Sequence, residues 1–372
     1  MHNAELQALI DLSARIGQDL SLVQAGGGNT SLKETRTTDS PDPAKSAEFP
    51  LSSGAAPGGL CAVNENGTLW VKASGKWLAD ALVDDMFLPV PMADVMAKLA
   101  AHDERFAEYP TPSGLRLRPS VETTVHAVFP QRVVVHVHSV RAISWAVRQD
   151  GAATIGERLN GLRWNWIPYV HPGVPLAEYI LHKLNPKPDV LVIQNHGLVV
   201  AGEDCASAES LLRDVEARLS VDPLAAPEPN LPYLEQLCGD GPWAPAEIAE
   251  VHALGTNPRF CWIASRGTMY PDHCVYLGPA APVLHNGEIV EHALHRYQTR
   301  HSYTPSYLLV DGAGVLTNNL SRAGRQLLIC LKRIVERIPE HVEVTYLDDR
   351  EVAALMNWDA EKYRLSVASS LP

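Results

Sequence analysis

The sequence predicts an α/β protein, because stretches whose apolar residues recur at helical spacing alternate with short apolar runs typical of buried strands. The composition agrees with this class, since 46% of the 372 residues are hydrophobic and 20% are charged. The predicted helices cover residues 4–20, 92–105, 121–129, 141–148, 203–219 and 321–337. The predicted strands cover residues 68–72, 133–138, 190–194 and 198–201.

Two stretches without apolar periodicity divide the chain. Residues 34–67 are rich in Pro, Ser, Gly, Ala and Asp, which predicts a long surface loop inserted into the first domain. Residues 221–232 contain four prolines and predict a linker. We therefore expect a first domain over residues 1–220 and a smaller C-terminal α+β extension over residues 233–372.

The charge balance and the cysteines narrow the class of protein. A formal net charge of −12 gives no electrostatic footprint for nucleic acid or an anionic membrane. No stretch approaches the roughly 18–20 apolar residues that span a bilayer, and the N-terminus lacks the basic-then-apolar pattern of a signal peptide. Six cysteines without a Cys-x-x-Cys pair favour neither structural zinc nor a disulfide framework. A reducing cytoplasm is the expected location.

Two histidines one residue apart stand in the apolar run 133–138. Because strand side chains alternate, His136 and His138 should lie on the same face, where their imidazoles can share a metal ion. His196 ends another apolar run, and Glu122 begins a predicted helix that Ser120 would cap. A single strand histidine is more often a core residue, and the helix dipole alone favours a carboxylate there. Together, three histidines and a glutamate predict a catalytic divalent metal.

A glycine-rich turn at residues 26–31 offers backbone N–H groups and the Asn29 amide to an anion such as phosphate. It lacks the spacing of a dinucleotide fingerprint, and no phosphate-binding loop of the nucleoside triphosphatases occurs, so neither NAD nor ATP is expected. Ser74 and Gly75, which follow a predicted strand, can add a hydroxyl and an N–H. Other histidines have simpler interpretations: His126 is expected to pack or to support the site. An exposed helix face is expected for His292, His295 and His301.

Five motifs, in this order, resemble the class II aldolase/adducin family over roughly residues 5–220. They are Gly-Gly-Gly-Asn-Thr-Ser (26–31), Leu-Trp-Val-Lys-Ala-Ser-Gly (69–75), Pro-Ser-Val-Glu-Thr (119–123), His-Val-His-Ser (136–139) and Gln-Asn-His-Gly-Leu (194–198). Two further segments, 166–173 and 270–273, resemble the aldolase half of bifunctional rhamnulose-1-phosphate aldolase/alcohol dehydrogenase proteins. The resemblance implies a three-layer α/β/α sandwich around a mainly antiparallel sheet, usually in a homotetramer.

The resemblance also implies roles for individual residues. His136, His138 and His196 match the metal-binding histidines, and Glu122 matches the catalytic glutamate, which can also be a resting-state metal ligand. The positions that hold the substrate phosphate are matched by Gly28, Asn29, Ser74, Gly75 and Ser120. Departures from the pattern are Val121, in place of a second serine of some relatives, and His171, in place of an expected arginine. No dehydrogenase fingerprint follows residue 233.

The expected function is therefore reversible aldol cleavage of a ketose phosphate or related hydroxy-ketone through a metal-stabilised enediolate. Glu122 would transfer the proton, and Tyr169 is a candidate for the acid that serves the other fragment's oxygen. Histidine ligands suit one Zn²⁺ per subunit, while Co²⁺, Mn²⁺ and Fe²⁺ are compatible. Sugar-phosphate epimerases, dehydratases and oxo-acid phosphate decarboxylases share the same ligand set. Adducin-like binding modules, which have lost the metal, are a third alternative.

The C-terminal extension has two interpretations. It can be a packing element that covers the first domain or its subunit interface. Alternatively, it can be a lid that completes a substrate pocket, as Asp272, His273 and the tyrosine-rich region 297–307 suggest.

Overall fold

The structure is a computed structural model, and it describes residues 4–35 and 67–369. The predicted loop at 34–67 falls almost wholly outside these ranges. Its described ends belong to strands rather than to a loop, because the first strand runs to Thr35 and the second begins at Gly67. No helix within the described ranges is long and apolar enough to cross a membrane.

A seven-stranded sheet organises the first part of the chain. Its strands are β1 (Asn29–Thr35), β2 (Gly67–Lys72), β3 (Phe87–Pro91), β6 (Val133–Val137), β7 (Trp164–Ile167), β8 (Val190–Ile193) and β9 (Gly197–Gly202), while β4 (Tyr109–Pro110) and β5 (Arg116–Leu117) pair separately. The order in the sheet is β3-β2-β1-β6-β9-β8-β7. Only β7 and β8 pair in parallel; the other neighbours are antiparallel. The predicted mainly antiparallel sheet is confirmed.

Helices cover both faces of this sheet. They are α1 (Ala4–Gly17), α2 (Met92–Ala100), α3 (Thr123–Ala127), α4 (Val140–Ala146), α5 (Gly151–Arg158), α6 (Val174–Lys183) and α7 (Cys205–Arg218). Alternation along β6 sends Val133, Val135 and Val137 into one core with α1, α4, α5 and α7. Val134 enters a second core with α2, α3 and α6. This arrangement is the predicted three-layer α/β/α sandwich, and it puts His136 on the same face as Val134.

Two of the predicted helices are shorter in the structure by four or five residues. The helix expected over 92–105 ends at Ala100, because His102 adopts a left-handed φ of 51°. The N–H groups of Asp103 and His102 then donate to the carbonyls of Lys98 and Leu99, which is the Schellman ending. The helix expected over 121–129 spans only Thr123–Ala127, and its N-cap is Glu122 rather than Ser120.

The C-terminal segment holds a second, four-stranded sheet of order β10-β13-β12-β11. Its strands are β10 (Ala244–Pro245), β11 (Val283–Leu284), β12 (Tyr307–Val310) and β13 (Gly314–Thr317). Its helices are α8 (Leu231–Cys238), α9 (Ala253–Thr256), α10 (Pro258–Ser265), α11 (Pro271–Leu277), α12 (Val290–His301), α13 (Arg322–Val335), α14 (Asp349–Asn357) and α15 (Asp359–Ser369). One hydrophobic cluster joins this segment to the first part of the chain, with Val140 and Ile143 beside Leu328 and Leu331.

Part of the proline-rich stretch is attached to the C-terminal segment. The N–H of Leu224 donates to the Glu336 carbonyl at 2.6 Å, and the Asn257 amide donates to the Ala225 carbonyl at 2.9 Å. Helix α8 already begins at Leu231, capped by Asn230, so the last two residues of the predicted linker are helical. Residues 224–230 therefore run over the surface of the C-terminal segment, whereas Val221 packs against the core that contains α1 and α7.

Candidate metal centre

Three histidine side chains meet where β6 and the turn between β8 and β9 lie side by side. His136 is paired with Val199 of β9, His138 follows the end of β6, and His196 occupies the turn. Their ligand atoms lie within 4.8 Å of one another, and all three side chains are buried. The alternation expected from the sequence therefore brings His136 and His138 together, and antiparallel pairing adds His196.

The residues that flank His196 explain how so tight a turn forms. Asn195 has a left-handed φ of 52°, and its amide donates to the carbonyls of Met269 and Thr345, both at 2.8 Å. A Cβ on Gly197 would stand 2.6 Å from the Val137 carbonyl oxygen, so a larger residue does not fit there. Both neighbours thus serve to place the imidazole against β6.

Glu122 lies between two of the histidines. Its Oε2 is 3.1 Å from His136 Nδ1, and its Oε1 is 3.4 Å from His196 Nε2. The Asn29 amide donates to Oε2 at 2.9 Å and so orients the carboxylate. Burial alone would raise the pKa of Glu122, but the adjacent His136 outweighs it and holds that pKa below its usual range. Glu122 is therefore a carboxylate directed at the histidine cluster.

The donor set fits a divalent cation. Both ring nitrogens of His136, Nε2 of His138 and Nδ1 of His196 are buried without a hydrogen-bond partner, as is Oε1 of Glu122. Leaving so many buried polar atoms unsatisfied is costly, about 1–3 kcal/mol each, unless another group binds them. Burial lowers the pKa of His196 to about 3, which keeps this imidazole neutral and its lone pair available. Neutral imidazoles with a nearby carboxylate are ligands that zinc and similar ions accept.

The predicted phosphate-contacting residues lie beside this cluster. One small cavity is lined by Gly28, Asn29, Ser74, Gly75 and Ser120 together with Glu122, His138 and His196. Its free volume is about 30 Å³, which is space for about one water molecule. Gly28 and Gly75 have left-handed φ values of 65° and 80° that favour glycine.

Four charged residues of this cavity were not among the predicted site residues. Lys72 is buried, and its ammonium donates to the carbonyls of Gly26 and Lys76 at 2.7 and 2.9 Å. Burial lowers the pKa of Lys72 to about 7. The other three, Asp272, Glu361 and Arg364, come from the C-terminal segment. Asp272 was noted in the sequence only as a possible lid residue, and no motif marks α15.

Comparison with known proteins identifies the first part of the chain. Residues 7–221 match the model of the class II aldolase and adducin N-terminal domain. The chain belongs to this family.

Individual relatives of this aldolase/adducin domain are distant. The chain is 30% identical over 210 residues to the Bacillus subtilis protein named uncharacterized oxidoreductase YuxG; the match covers 53% of the chain but only 26% of that relative. A class II aldolase domain from Thermoplasma acidophilum is 23% identical, with a TM-score of 0.43 over 59% of this chain and 93% of its own. The L-fuculose-1-phosphate aldolase of Thermus thermophilus is 19% identical, with a TM-score of 0.35 over 58% and 92%.

Other predicted residues of the aldolase/adducin domain lie around the site. His126 forms a hydrogen bond with the Ser31 hydroxyl at 2.8 Å, and His171 packs on Trp358 with ring centroids 4.6 Å apart. Tyr169 packs against Cys274 and Leu355, its hydroxyl is buried, and it does not line the small cavity.

The remaining histidines lie on α12. His292 and His295 are exposed there as expected, whereas His301 is half-buried against Tyr297.

A wider cleft of about 580 Å³ adjoins the small cavity. The two spaces share Ser74, Val121 and Ala360. The cleft is also lined by Arg118 and Tyr363, whose ring lies 4.5 Å from the guanidinium carbon. At the three shared residues the cleft therefore borders the cavity that His138 and His196 line.

Proposed function

We propose that this protein is a divalent-metal-dependent aldolase that reversibly cleaves a ketose phosphate or a related hydroxy-ketone. The observation that carries the proposal is the Glu122 carboxylate, held within 3.4 Å of two of three clustered histidines. His136, His138 and His196 would hold one ion per subunit, with Glu122 as an additional ligand in the resting state. Zn²⁺ suits the imidazole donors best, and Co²⁺, Mn²⁺ or Fe²⁺ are alternatives.

In the proposed reaction, the ion would stabilise charge and the side chains would transfer the proton. A divalent ion, when bound, stabilises negative charge that develops on the substrate's carbonyl oxygen. In cleavage, the bond breaks between the carbon beside the carbonyl and the next hydroxyl-bearing carbon. The Glu122 carboxylate accepts the hydroxyl proton as the aldehyde forms and then delivers it to the carbon that keeps the electron pair. Because the Asn29 amide binds Oε2, Oε1 is the oxygen left to carry that proton.

The surrounding cavity supports an anionic substrate. The Ser74 and Ser120 hydroxyls and the backbone at Gly28 and Gly75 are the proposed phosphate contacts. Because the inner cavity has a volume of only about 30 Å³, the rest of the substrate is proposed to extend past Ser74 into the wider cleft.

Organisation and location complete the proposal. We assign the catalytic function to residues 1–220 and propose a homotetramer. The described cysteines Cys205, Cys238, Cys261, Cys274 and Cys330 are unpaired, which supports a reducing cytoplasm as the location.

The decisive experiment combines metal analysis with a substrate screen. The purified chain would be loaded with Zn²⁺, Co²⁺, Mn²⁺ or Fe²⁺ and incubated with ketose phosphates, with detection of aldehyde and CO₂. We expect aldehyde, and we expect Glu122→Gln to lower the cleavage rate by about 100-fold to 10,000-fold because the proton carrier is lost. The exposed Glu157→Gln is the matched control.

Several outcomes would contradict the proposal. Full activity of Glu122→Gln would remove its proposed role. Release of CO₂ without aldehyde would indicate a decarboxylase, and a change of stereochemistry alone would indicate an epimerase. A protein that binds no divalent ion even after reloading would be a binding module of the adducin type.

A further inference from the structure

A carboxylate from the C-terminal segment contacts one of the three histidines. Asp272, near the start of α11, has its Oδ2 2.7 Å from His138 Nδ1. The side chain of Asp272 is fully buried and that of His138 is 5% exposed. The contact joins residues 134 positions apart in the sequence, so only the folded C-terminal segment can supply it.

This contact fixes which nitrogen of His138 carries the hydrogen. A carboxylate only accepts hydrogen bonds, so Nδ1 of His138 must be the donor. Its Nε2 then keeps a free lone pair, and this atom is buried with no hydrogen-bond partner in the structure. Metal-binding histidines generally have such a carboxylate or carbonyl on the other ring nitrogen, because it sets the tautomer and the orientation of the ring.

A second C-terminal residue holds Asp272 in place. The Arg364 guanidinium of α15 donates to Oδ1 of Asp272, the oxygen that does not face His138. Its Nε also lies 2.7 Å from Oε2 of Glu361, one turn earlier on the same helix. Arg364 thus pairs with two carboxylates and fixes Asp272 from the side opposite the imidazole.

The glycine-rich turn leaves room for this pair. A Cβ on Gly27 would lie 2.6 Å from Oδ2 of Asp272 and 2.8 Å from Nδ1 of His138. Among atoms outside residues 26–28, these two would be the nearest to the new Cβ, so a glycine at position 27 permits the contact between them. The phosphate-binding interpretation of the turn does not account for this position.

We propose that Asp272, held by Arg364, is a positioning residue of the metal centre, and that the C-terminal segment therefore completes the site. The inference rests on the proposed metal-dependent function. It assigns to Asp272 the orientation of His138 and part of the affinity for the ion. A packing role would instead make Asp272 and Arg364 a structural ion pair without influence on the metal.

The test compares metal binding by full-length variants. Apoprotein would be titrated with Zn²⁺ against a chromophoric chelator, and Co²⁺ spectra would be recorded. We expect Asp272→Asn to bind Zn²⁺ about 10-fold to 100-fold more weakly than the wild type and to change the Co²⁺ ligand-field bands. Glu250→Gln is the control, since Glu250 also pairs with an arginine, Arg333, of the C-terminal segment. It should match the wild type.

The possible outcomes separate the two proposals. Wild-type protein that takes up no divalent ion would refute the metal centre, and with it the proposed function. Wild-type binding, with unchanged affinity and spectrum in Asp272→Asn, would refute only the role of Asp272. If Asp272→Asn does not fold, Arg364→Lys provides the test: it keeps the charge but loses the planar guanidinium fork. Metal affinity of Arg364→Lys within twofold of the wild type would then overturn the inference.

Discussion

Replacing Gly27 with alanine introduces one methyl group where the glycine-rich turn meets Asp272 of the C-terminal segment. The new Cβ would lie 2.6 Å from Asp272 Oδ2, whereas Cβ contacts in proteins essentially never fall below 3.0 Å. Asp272 or the turn must therefore shift by at least about 0.4 Å. Overpacking of this kind costs about 1–3 kcal/mol, and weakening the charged hydrogen bond between Asp272 and His138 adds about 1 kcal/mol. We expect Gly27→Ala to lower the free energy of unfolding by about 2–4 kcal/mol.

The neighbouring glycine provides a matched control in the same turn. A Cβ on Gly26 would meet its nearest atoms, on Gly75 and Tyr276, at 3.4–3.5 Å, which is ordinary van der Waals contact. Gly26→Ala should therefore change the free energy of unfolding by less than about 1 kcal/mol, and it loses less chain entropy on folding. Urea denaturation of the metal-free proteins would measure both values. Equal stabilities of the two variants would refute the argument that Gly27 is required by the contact between Asp272 and His138.

Two further predictions concern the buried charge of α7 and the shared core. Burial raises the pKa of Glu216 to about 7, so the folded protein binds this proton more tightly than the unfolded chain, and its stability falls as pH rises from about 4.5 to 7. Urea titrations of metal-free protein at pH 5 and pH 8 would measure this effect. The free energy of unfolding of Glu216→Gln, relative to that of the wild type, should be up to about 3 kcal/mol higher at pH 8 than at pH 5. The same difference between the two proteins at both pH values would contradict this prediction. Leu328→Ala, in the cluster that also contains Val140 and Ile143, should cost about 2–5 kcal/mol while thermal unfolding remains a single transition. Two separate transitions, with only one shifted, would show that the cores are independent.

Much of the fold and most residues of the candidate site could be predicted from sequence patterns. The period of two along β6 needs only neighbouring residues, and it correctly put His136 and His138 together. The three-layer sandwich, with helices on both faces of the sheet, followed from the resemblance of the five motifs, and the structure has it. His196 falls in the gap between the predicted strands 190–194 and 198–201, and the structure has a turn there, at the end of β8.

Features that depend on contacts between residues far apart in the sequence could not be predicted from such patterns. The apolar periodicity around Asp272 does not indicate that its partner is His138, because this pairing depends on how the C-terminal segment packs against the first part of the chain. Arg364 lies on a helix without any motif, so its place beside Asp272 is visible only in three dimensions. The early end of α2 depends on the left-handed backbone of His102, a conformation that histidine adopts uncommonly.

The separation of Asp272 and Arg364 from the three histidines also affects how the protein is made. All three histidines are synthesised by residue 196, but Arg364 emerges roughly 170 residues later, which at 5–20 residues per second takes roughly 10–30 seconds. During that interval a nascent chain already carries the imidazoles, while the carboxylate that orients His138 and the arginine that fixes it are still missing. The centre reaches its final form only after α15 has been synthesised, so a chain cut short before α15 would keep every proposed metal ligand yet lack the arginine that holds Asp272.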